Sequence, residues 1–406
     1  MSERHGQRSL LWIRSALGWG VLFLFVLAPL LMTGAALAEK KPILIGASVA
    51  ATGKYGKAGK YQEEGYKWWA AQVNKKGGLL GRPVKLVIYD DRSTPSTAVK
   101  LYERLITQDK VDLVLGPYSS AVTFAASAVS EKHGFPMVAG GAASTKIWKR
   151  GFKNIFMVYT AAEKYHYGVL EIAKKNGLKT VAIIHEDSLF PKAVSNGAEA
   201  RAKALGLKVV YREAYKKGAA DFGALLTKVK RHNPDVLLAG TYFPDAVAIV
   251  RQMKAMDVNP RMFSTTVGAA LPEFYKDLGN LAEYVYGPSQ WEPGMNTPGN
   301  QEFVNSYKRM FGREPDYHAA SAIAAANVLE RAVQQAGSLD QAKIREALRS
   351  LKADTPFGAY QVDARGLQVA HEAVLVQWQK GRKRIVWPAK LANAAPIVPT
   401  PPWNQR

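Results

Sequence analysis

From position 42 onward the chain alternates short apolar runs rich in β-branched side chains with longer stretches of helical periodicity. Such alternation confines the fold to βαβ units around parallel sheets, because a parallel neighbour is reached only through a crossover long enough to hold a helix. Residues 42–49, 84–89, 111–115 and 136–139 read as buried strands, with helices expected over 61–74, 96–108 and 121–132. The pattern then restarts. Helices are expected over 165–175, 191–205, 222–231 and 244–256, and strands over 180–185, 209–212 and 236–239. Two α/β units of similar size thus follow in series, with no close sequence repeat between them. Further helices are expected over 301–311, 319–335 and 339–351. Strands at a hairpin are expected over 357–362 and 373–379, and an extended Pro-rich tail over 396–402.

Ahead of this pattern, Arg4, Arg8 and Arg14 precede an apolar stretch over 16–31 and the small-residue site Ala36-Leu37-Ala38. That order predicts a secretory signal peptide over 1–38, a mature chain starting at Glu39 and a periplasmic location. The alternative is an uncleaved membrane anchor. No other apolar run in the sequence nears spanning length.

The 55 Lys and Arg outnumber the 33 Asp and Glu, for a formal charge of +22. Such an excess suits nucleic acid, an acidic membrane surface or a small anion. The charges are scattered, and the densest group is Lys380, Arg382, Lys383 and Arg384. Aromatic residues do not interleave with basic ones as in a single-strand stacking platform, so no nucleic-acid partner is expected. The absence of cysteine excludes disulfides, thiolate metal sites, a cysteine nucleophile and a lipid-modified N-terminal cysteine.

Signals for catalysis are weak. The run Gly53-Lys54-Tyr55-Gly56-Lys57-Ala58-Gly59 follows a strand but is neither GxGxxG nor a Walker loop. It reads as a flexible, ligand-facing loop. No GxSxG elbow is present, and the seven histidines show no metal-ligand spacing. His185-Glu186-Asp187 reads as a solvated loop at a strand end. No metal, cofactor or catalytic set is expected.

Ligands of open parallel sheets sit beyond the carboxyl ends of the strands. There, Gly116-Pro117-Tyr118-Ser119-Ser120 leads from a strand into a helix. Ser119 or Ser120 falls at the N-cap, where free N–H groups and the helix dipole favour an anion. The next strand runs into Gly140-Gly141-Ala142-Ala143-Ser144-Thr145, whose small residues let backbone approach a ligand. Together these loops could hold a carboxylate without a positive side chain; the alternative is that the serines only cap helices.

With these loops in view, the sequence resembles the periplasmic Leu/Ile/Val-binding proteins over nearly all of the mature chain. The resemblance rests on Gly65-Tyr66, Asn74-Lys75-Lys76-Gly77-Gly78 with Gly81-Arg82-Pro83, Tyr89-Asp90-Asp91, Gly116-Pro117-Tyr118-Ser119-Ser120, Asp221-Phe222, Gly240-Thr241-Tyr242 and Trp387-Pro388. It implies an α/β architecture of two Rossmann-like lobes with parallel sheets, joined by three hinge crossings around a ligand cleft. The expected limits are 39–160 with 288–354 for one lobe, 161–287 with 355–388 for the other, and a tail over 389–406. It further implies a monomeric, non-enzymatic subunit of an ABC importer that presents a small molecule to a membrane permease. The ligand carboxylate would meet Ser119, Ser120 and the loop Gly141, Ala142, Ala143 and Ser144. Phe190 and Tyr242 would contribute from the second lobe, with Tyr55 and Trp291 nearby. A sensor module, or an α/β enzyme, is the competing reading.

One departure matters. The amino-acid binders place a glutamate after the strand that here reads Arg261-Met262-Phe263-Ser264-Thr265, and it pairs with the ligand ammonium. Val267 stands at that position, and no acid occurs between 261 and 271. A buried ammonium without an anion is costly. The expected ligand is a small amino acid or a related carboxylate or amide, and Val267 points to an aromatic or aliphatic one lacking an ammonium unless Asp187 or Asp245 supplies the charge.

Overall fold

The computed structural model describes residues 40–406. The segment read as a signal peptide lies outside the described residues. The first lobe begins with β1 (Ile43–Val49), α1 (Gly56–Lys75), β2 (Val84–Asp90), α2 (Pro95–Thr107), β3 (Leu113–Leu115), α3 (Ser120–His133), β4 (Met137–Ala139) and β5 (Ile155–Met157). Its strands form an all-parallel sheet in the order β2-β1-β3-β4-β5.

The second lobe repeats the plan with α4 (Tyr167–Lys175), β6 (Thr180–Glu186), α5 (Leu189–Ala204), β7 (Lys208–Tyr215), α6 (Gly223–His232), β8 (Val236–Gly240), α7 (Phe243–Ala255), β9 (Met262–Thr265), α8 (Glu273–Leu278) and β10 (Tyr286–Ser289). The chain then returns to the first lobe as α9 (Asn300–Phe311), α10 (Tyr317–Ala336) and α11 (Gln341–Ser350), with α10 lying along α1. A small antiparallel pair, β11 (Ala353–Thr355) and β12 (Gly358–Tyr360), follows. Last come β13 (Val374–Gln379) and β14 (Arg382–Trp387), which extend the second sheet to β14-β13-β10-β9-β8-β6-β7. The chain thus crosses between lobes three times: after β5, after β10 and after β12.

Helices cover both faces of the central strands, so these strands are buried along nearly their whole length instead of alternating between buried and exposed. Every residue of β8 is buried, and all but one in each of β1 and β6. No helix among the described residues is long and apolar enough to cross a membrane.

Several details differ from the sequence reading. Residues 357–362 and 373–379 do not pair with each other. β12 pairs with β11, while β13 pairs with β14 across Lys380-Gly381. Both of those turn residues have positive φ, as a two-residue hairpin turn of this hand needs. The densest basic cluster is therefore the turn of an edge hairpin and the first half of its outer strand, β14. It makes the second sheet mixed instead of purely parallel.

The segment 355–368, which the resemblance assigns to the second lobe, lies against the first. Gly366 O accepts from Met157 N–H, Ala364 O from Arg349, and Leu348 O from the Tyr360 hydroxyl. The C-terminal tail is also more than a surface strand. Trp403 is buried and donates to Val258 O, while Thr400 N–H bonds Arg261 O.

The glycine-rich run after β1 is not wholly a loop, because Gly56 and Gly59 open α1. At Gly59 a Cβ would lie only 1.9 Å from Ala50 O. Backbone meets backbone there, which is what lets α1 start tight against the end of β1. Gly59→Ala is expected to lower the unfolding free energy by about 1–3 kcal/mol, as for other overpacked sites, in a denaturant titration. An unchanged midpoint would mean that the β1–α1 loop moves aside freely.

Candidate ligand-binding site

Counted from each lobe's own first strand, both sheets share the strand order 2-1-3-4-5. Each has one point where successive crossovers leave in opposite directions, and a crevice opens there. In the first sheet that point lies between β1 and β3, flanked by the loop carrying Lys54 and Tyr55 and the loop carrying Tyr118 and Ser119. In the second it lies between β6 and β8, flanked by Asp187-Ser188 and by Thr241-Tyr242. The two crevices meet: the Tyr55 and Tyr242 rings are 4.5 Å apart between centroids.

Between them lies an outer cavity of about 360 Å³, lined by residues that include Lys54, Tyr55, Tyr118, Tyr242 and Val267. An inner slot of about 10 Å³ adjoins it, bounded by Ser119, Ser120, Gly141, Ala143, Phe190 and Tyr242 among others. Tyr118, Tyr242 and Val267 line both spaces.

The polar end of the slot is the start of α3. Ser119 is its N-cap, accepting from Val122 N–H at 3.3 Å, and holds φ at +75° with ψ at 147°. A non-glycine residue rarely adopts that conformation, and such strain concentrates at ligand sites. Ser120 Oγ accepts the N–H groups of Ala143 and Ser144, both at 3.1 Å. Two donors commit its lone pairs and leave its own proton free to be donated. The dipole of α3 adds to this preference for an anion.

The opposite wall is aromatic. Phe190 lies 5.5 Å from Tyr242 and 5.3 Å from Tyr165, and Tyr55 lies 5.7 Å from Tyr118. Burial holds the phenols of Tyr118 and Tyr242 neutral, well above their ordinary range, as it does that of Tyr55 with the Glu186 charge adding to it. Tyr118 OH contacts His318 Nε2 at 3.0 Å, and His318 Nδ1 contacts Asp316 at 2.7 Å. This buried chain fixes the Tyr118 ring at the cavity. The Tyr55 hydroxyl and Ser144 Oγ are buried without a hydrogen-bond partner among the described residues.

Sequence reasoning missed one feature. Lys54, from the first lobe, reaches across the cleft to two buried carboxylates of the second. Its Nζ donates to Asp245 Oδ1 and Oδ2 at 3.0 and 2.9 Å and to Glu186 Oε2. Ser188 Oγ donates to Glu186 Oε1 at 2.6 Å, and the Tyr215 hydroxyl donates to Asp245 Oδ2 at 3.2 Å. Burial raises the Asp245 carboxyl above its ordinary value, and Lys54 opposes that shift. The stretch 185–187 is not one solvated loop: His185 and Glu186 are buried ends of β6, and only Asp187 is exposed, paired with Lys192.

Most residues singled out from the sequence converge here. Ser119, Ser120, Gly141, Ala143, Phe190 and Tyr242 bound the slot, and Tyr55 the outer cavity. Ala142 and Ser144 are buried in the same loop but line neither space. Trp291 is elsewhere. Its indole N–H donates to Asn300 Oδ1 and Pro356 O, both at 3.0 Å, so it fastens the crossing after β10 and faces neither the outer cavity nor the slot. No cluster of potential metal ligands occurs among the described residues.

Two α/β lobes with facing crevices and a lined cleft define a two-lobed solute-binding architecture. The chain belongs to the periplasmic binding protein family, whose model matches residues 42–383. It is 29% identical to an amino acid binding protein of Pseudomonas aeruginosa, over 89% of this chain and 96% of that one. It is 27% identical to a leucine-, isoleucine-, valine-, threonine- and alanine-binding protein of the same organism, over 82% and 89%. Among solved structures, a leucine binding protein of Thermotoga maritima superposes with a TM-score of 0.79 at 26% identity, covering 84% of this chain and 97% of the other. A solute binding protein from R. palustris in complex with benzoate shares the fold at TM-score 0.77 and 20% identity, covering 87% and 98%.

The loss of a single slot atom can be tested. Ser120→Ala removes the acceptor of two buried N–H groups. It is expected to cost about 1–3 kcal/mol of stability, read as a lowered denaturation midpoint. A midpoint equal to that of the unmodified protein would show that those groups find another partner.

Proposed function

We propose that this chain is the periplasmic, solute-capturing subunit of an ABC importer. Its ligand is a small organic carboxylate or amide with an aromatic or aliphatic body and no ammonium. The carboxylate lies at the start of α3 against Ser119, Ser120 and the Gly141–Ser144 backbone. The body lies against Tyr118, Phe190 and Tyr242.

The observation that carries this reading is the pairing of the free Ser120 proton with an apolar, aromatic wall on which Val267 stands. A neutral hydroxyl donating to a carboxylate is a charge-assisted bond, of the stronger class. Val267 offers an ammonium nothing. The ligand docks on the first lobe, and the second closes over it by a hinge at the three crossings, excluding water. The closed form is what a permease would recognise, and the protein acts as a monomer without turnover. The names of the relatives favour a second reading, in which the ligand is a branched-chain amino acid and a buried acid of the second lobe receives its ammonium.

A thermal-shift series on residues 39–406 separates the two. A ligand that binds only the folded state raises the melting temperature. Leucine and phenylalanine would be set beside 4-methylpentanoate, 3-phenylpropanoate, benzoate and their amides. The expected result is stabilisation by one or more of the deaminated acids or amides and none by the amino acids. Stabilisation by leucine or phenylalanine alone would establish the amino-acid reading instead.

A further inference from the structure

Two cations line the cleft, Lys54 and Lys57, and each pairs with carboxylates of the other lobe; Lys54 is the more buried of the two. Lys54 lies in the loop after β1, its side chain is only 15% exposed, and its Nζ is 5.7 Å from the centre of the Tyr242 ring. Its bonds run to Glu186 at the end of β6 and to Asp245 in the first turn of α7, both almost fully buried. Those carboxylates have no idle oxygen. Glu186 Oε1 is taken by Ser188 and Oε2 by Lys54, Asp245 Oδ1 by Lys54, and Asp245 Oδ2 by Lys54 and Tyr215.

An acidic pair of this kind is what a ligand ammonium would need. Two buried carboxylates attract a primary amine strongly, because an unpaired buried charge is costly and the opposite charge relieves it; these two lie behind Lys54, which is the one of the three that lines the outer cavity. Here the protein supplies that amine itself. We propose that Lys54 is a specificity-determining residue: its ammonium fills, in cis, an amine subsite formed by Glu186 and Asp245, and so excludes amino-bearing ligands from the cleft. This rests on reading the cleft as a small-carboxylate site, and it names the group that rejects the amino acids.

Two consequences follow from the geometry. A zwitterionic ligand must displace Lys54 to reach the acids, leaving that lysine half-buried without a partner. A ligand that is only an acid or amide leaves the ion cluster intact and gains from it, because the cluster ties the two lobes across the same opening. Lys57 to Asp277, at 2.8 Å, and the Tyr61 hydroxyl to Glu273, at 3.2 Å, tie the lobes farther along the mouth. Lys54 is therefore not the sole bridge, and its removal can be tested in a protein that still closes.

The test is calorimetric titration of the unmodified protein and of Lys54→Met with 3-phenylpropanoate, phenylalanine and phenethylamine. Circular dichroism of each variant checks the fold. The expected result is that Lys54→Met gains affinity for phenylalanine or phenethylamine by about tenfold or more, the equivalent of one well-made interaction. Lys54→Arg, which keeps the cation, is expected to retain the original preference. Lys54→Met combined with Glu186→Gln is expected to lose the gained amine affinity.

If Lys54→Met loses affinity for the deaminated acid and gains none for amines, the lysine is a lobe tie only and the proposal is overturned. It is also overturned if the unmodified protein already binds phenylalanine as tightly as its deaminated analogue. If Lys54→Met does not fold, Lys54→Gln, which removes the charge but keeps a polar side chain, takes its place in the titration. A Lys54→Gln protein that gains no affinity for phenylalanine or phenethylamine would overturn the proposal. Failure of the unmodified protein to bind any small carboxylate, amide or amino acid would instead sink the reading of the cleft on which this rests.

Discussion

Where crossovers in an open parallel sheet reverse direction, two loops diverge and leave a crevice between them. That constraint places everything of interest in this molecule. Each lobe has one such point, between β1 and β3 and between β6 and β8, and the chain faces them toward each other. Helix starts follow these strands within a few residues, so free N–H groups and the positive ends of helix dipoles gather at the same opening. A site for an anion is the default outcome of that geometry. What remains to be chosen is the wall, and here it is Tyr55, Tyr118, Phe190 and Tyr242.

Charge in this opening is handled by closure within the protein. Glu186 and Asp245 are buried at the second crevice, where two uncompensated carboxylates would destabilise the contact between lobes. Lys54 compensates them from the other side of the cleft. The same three residues thereby tie the two lobes across the cleft. In the proposed reading a small anion enters without disturbing them, while an amine competes with them directly.

The architecture was legible because βαβ units leave a strong trace: apolar runs of strand length alternate with helical stretches, and that periodicity survives any choice of surface residues. Elements that lack the trace were missed. β5 has three residues, β10 reads Tyr-Gly-Pro-Ser with little strand propensity, and β14 is built from the basic cluster. The turn into α3 was legible too, since Gly-Pro before Tyr118-Ser119-Ser120 marks a strand-to-helix turn whatever surrounds it. The Lys54 cluster was not. Its members lie 132 and 191 residues apart, and no local pattern announces a pairing at that distance. Glu186 and Asp187 show the same limit at close range. Adjacent residues at a strand end point to opposite sides, so one is buried on the cleft and its neighbour is exposed on Lys192. Trp291 misled because a large aromatic after a strand suits a ligand wall and a packing anchor equally well. Only its two hydrogen bonds decide.

The most direct measurement is a crystal structure of residues 39–406 with a bound carboxylate ligand. The expected result is a carboxylate within hydrogen-bonding distance of Ser120 Oγ, an aromatic or aliphatic body against Tyr118, Phe190 and Tyr242, and Lys54 still seated between Glu186 and Asp245. A ligand amine seated on Asp245 or Glu186, with Lys54 turned away, would contradict it.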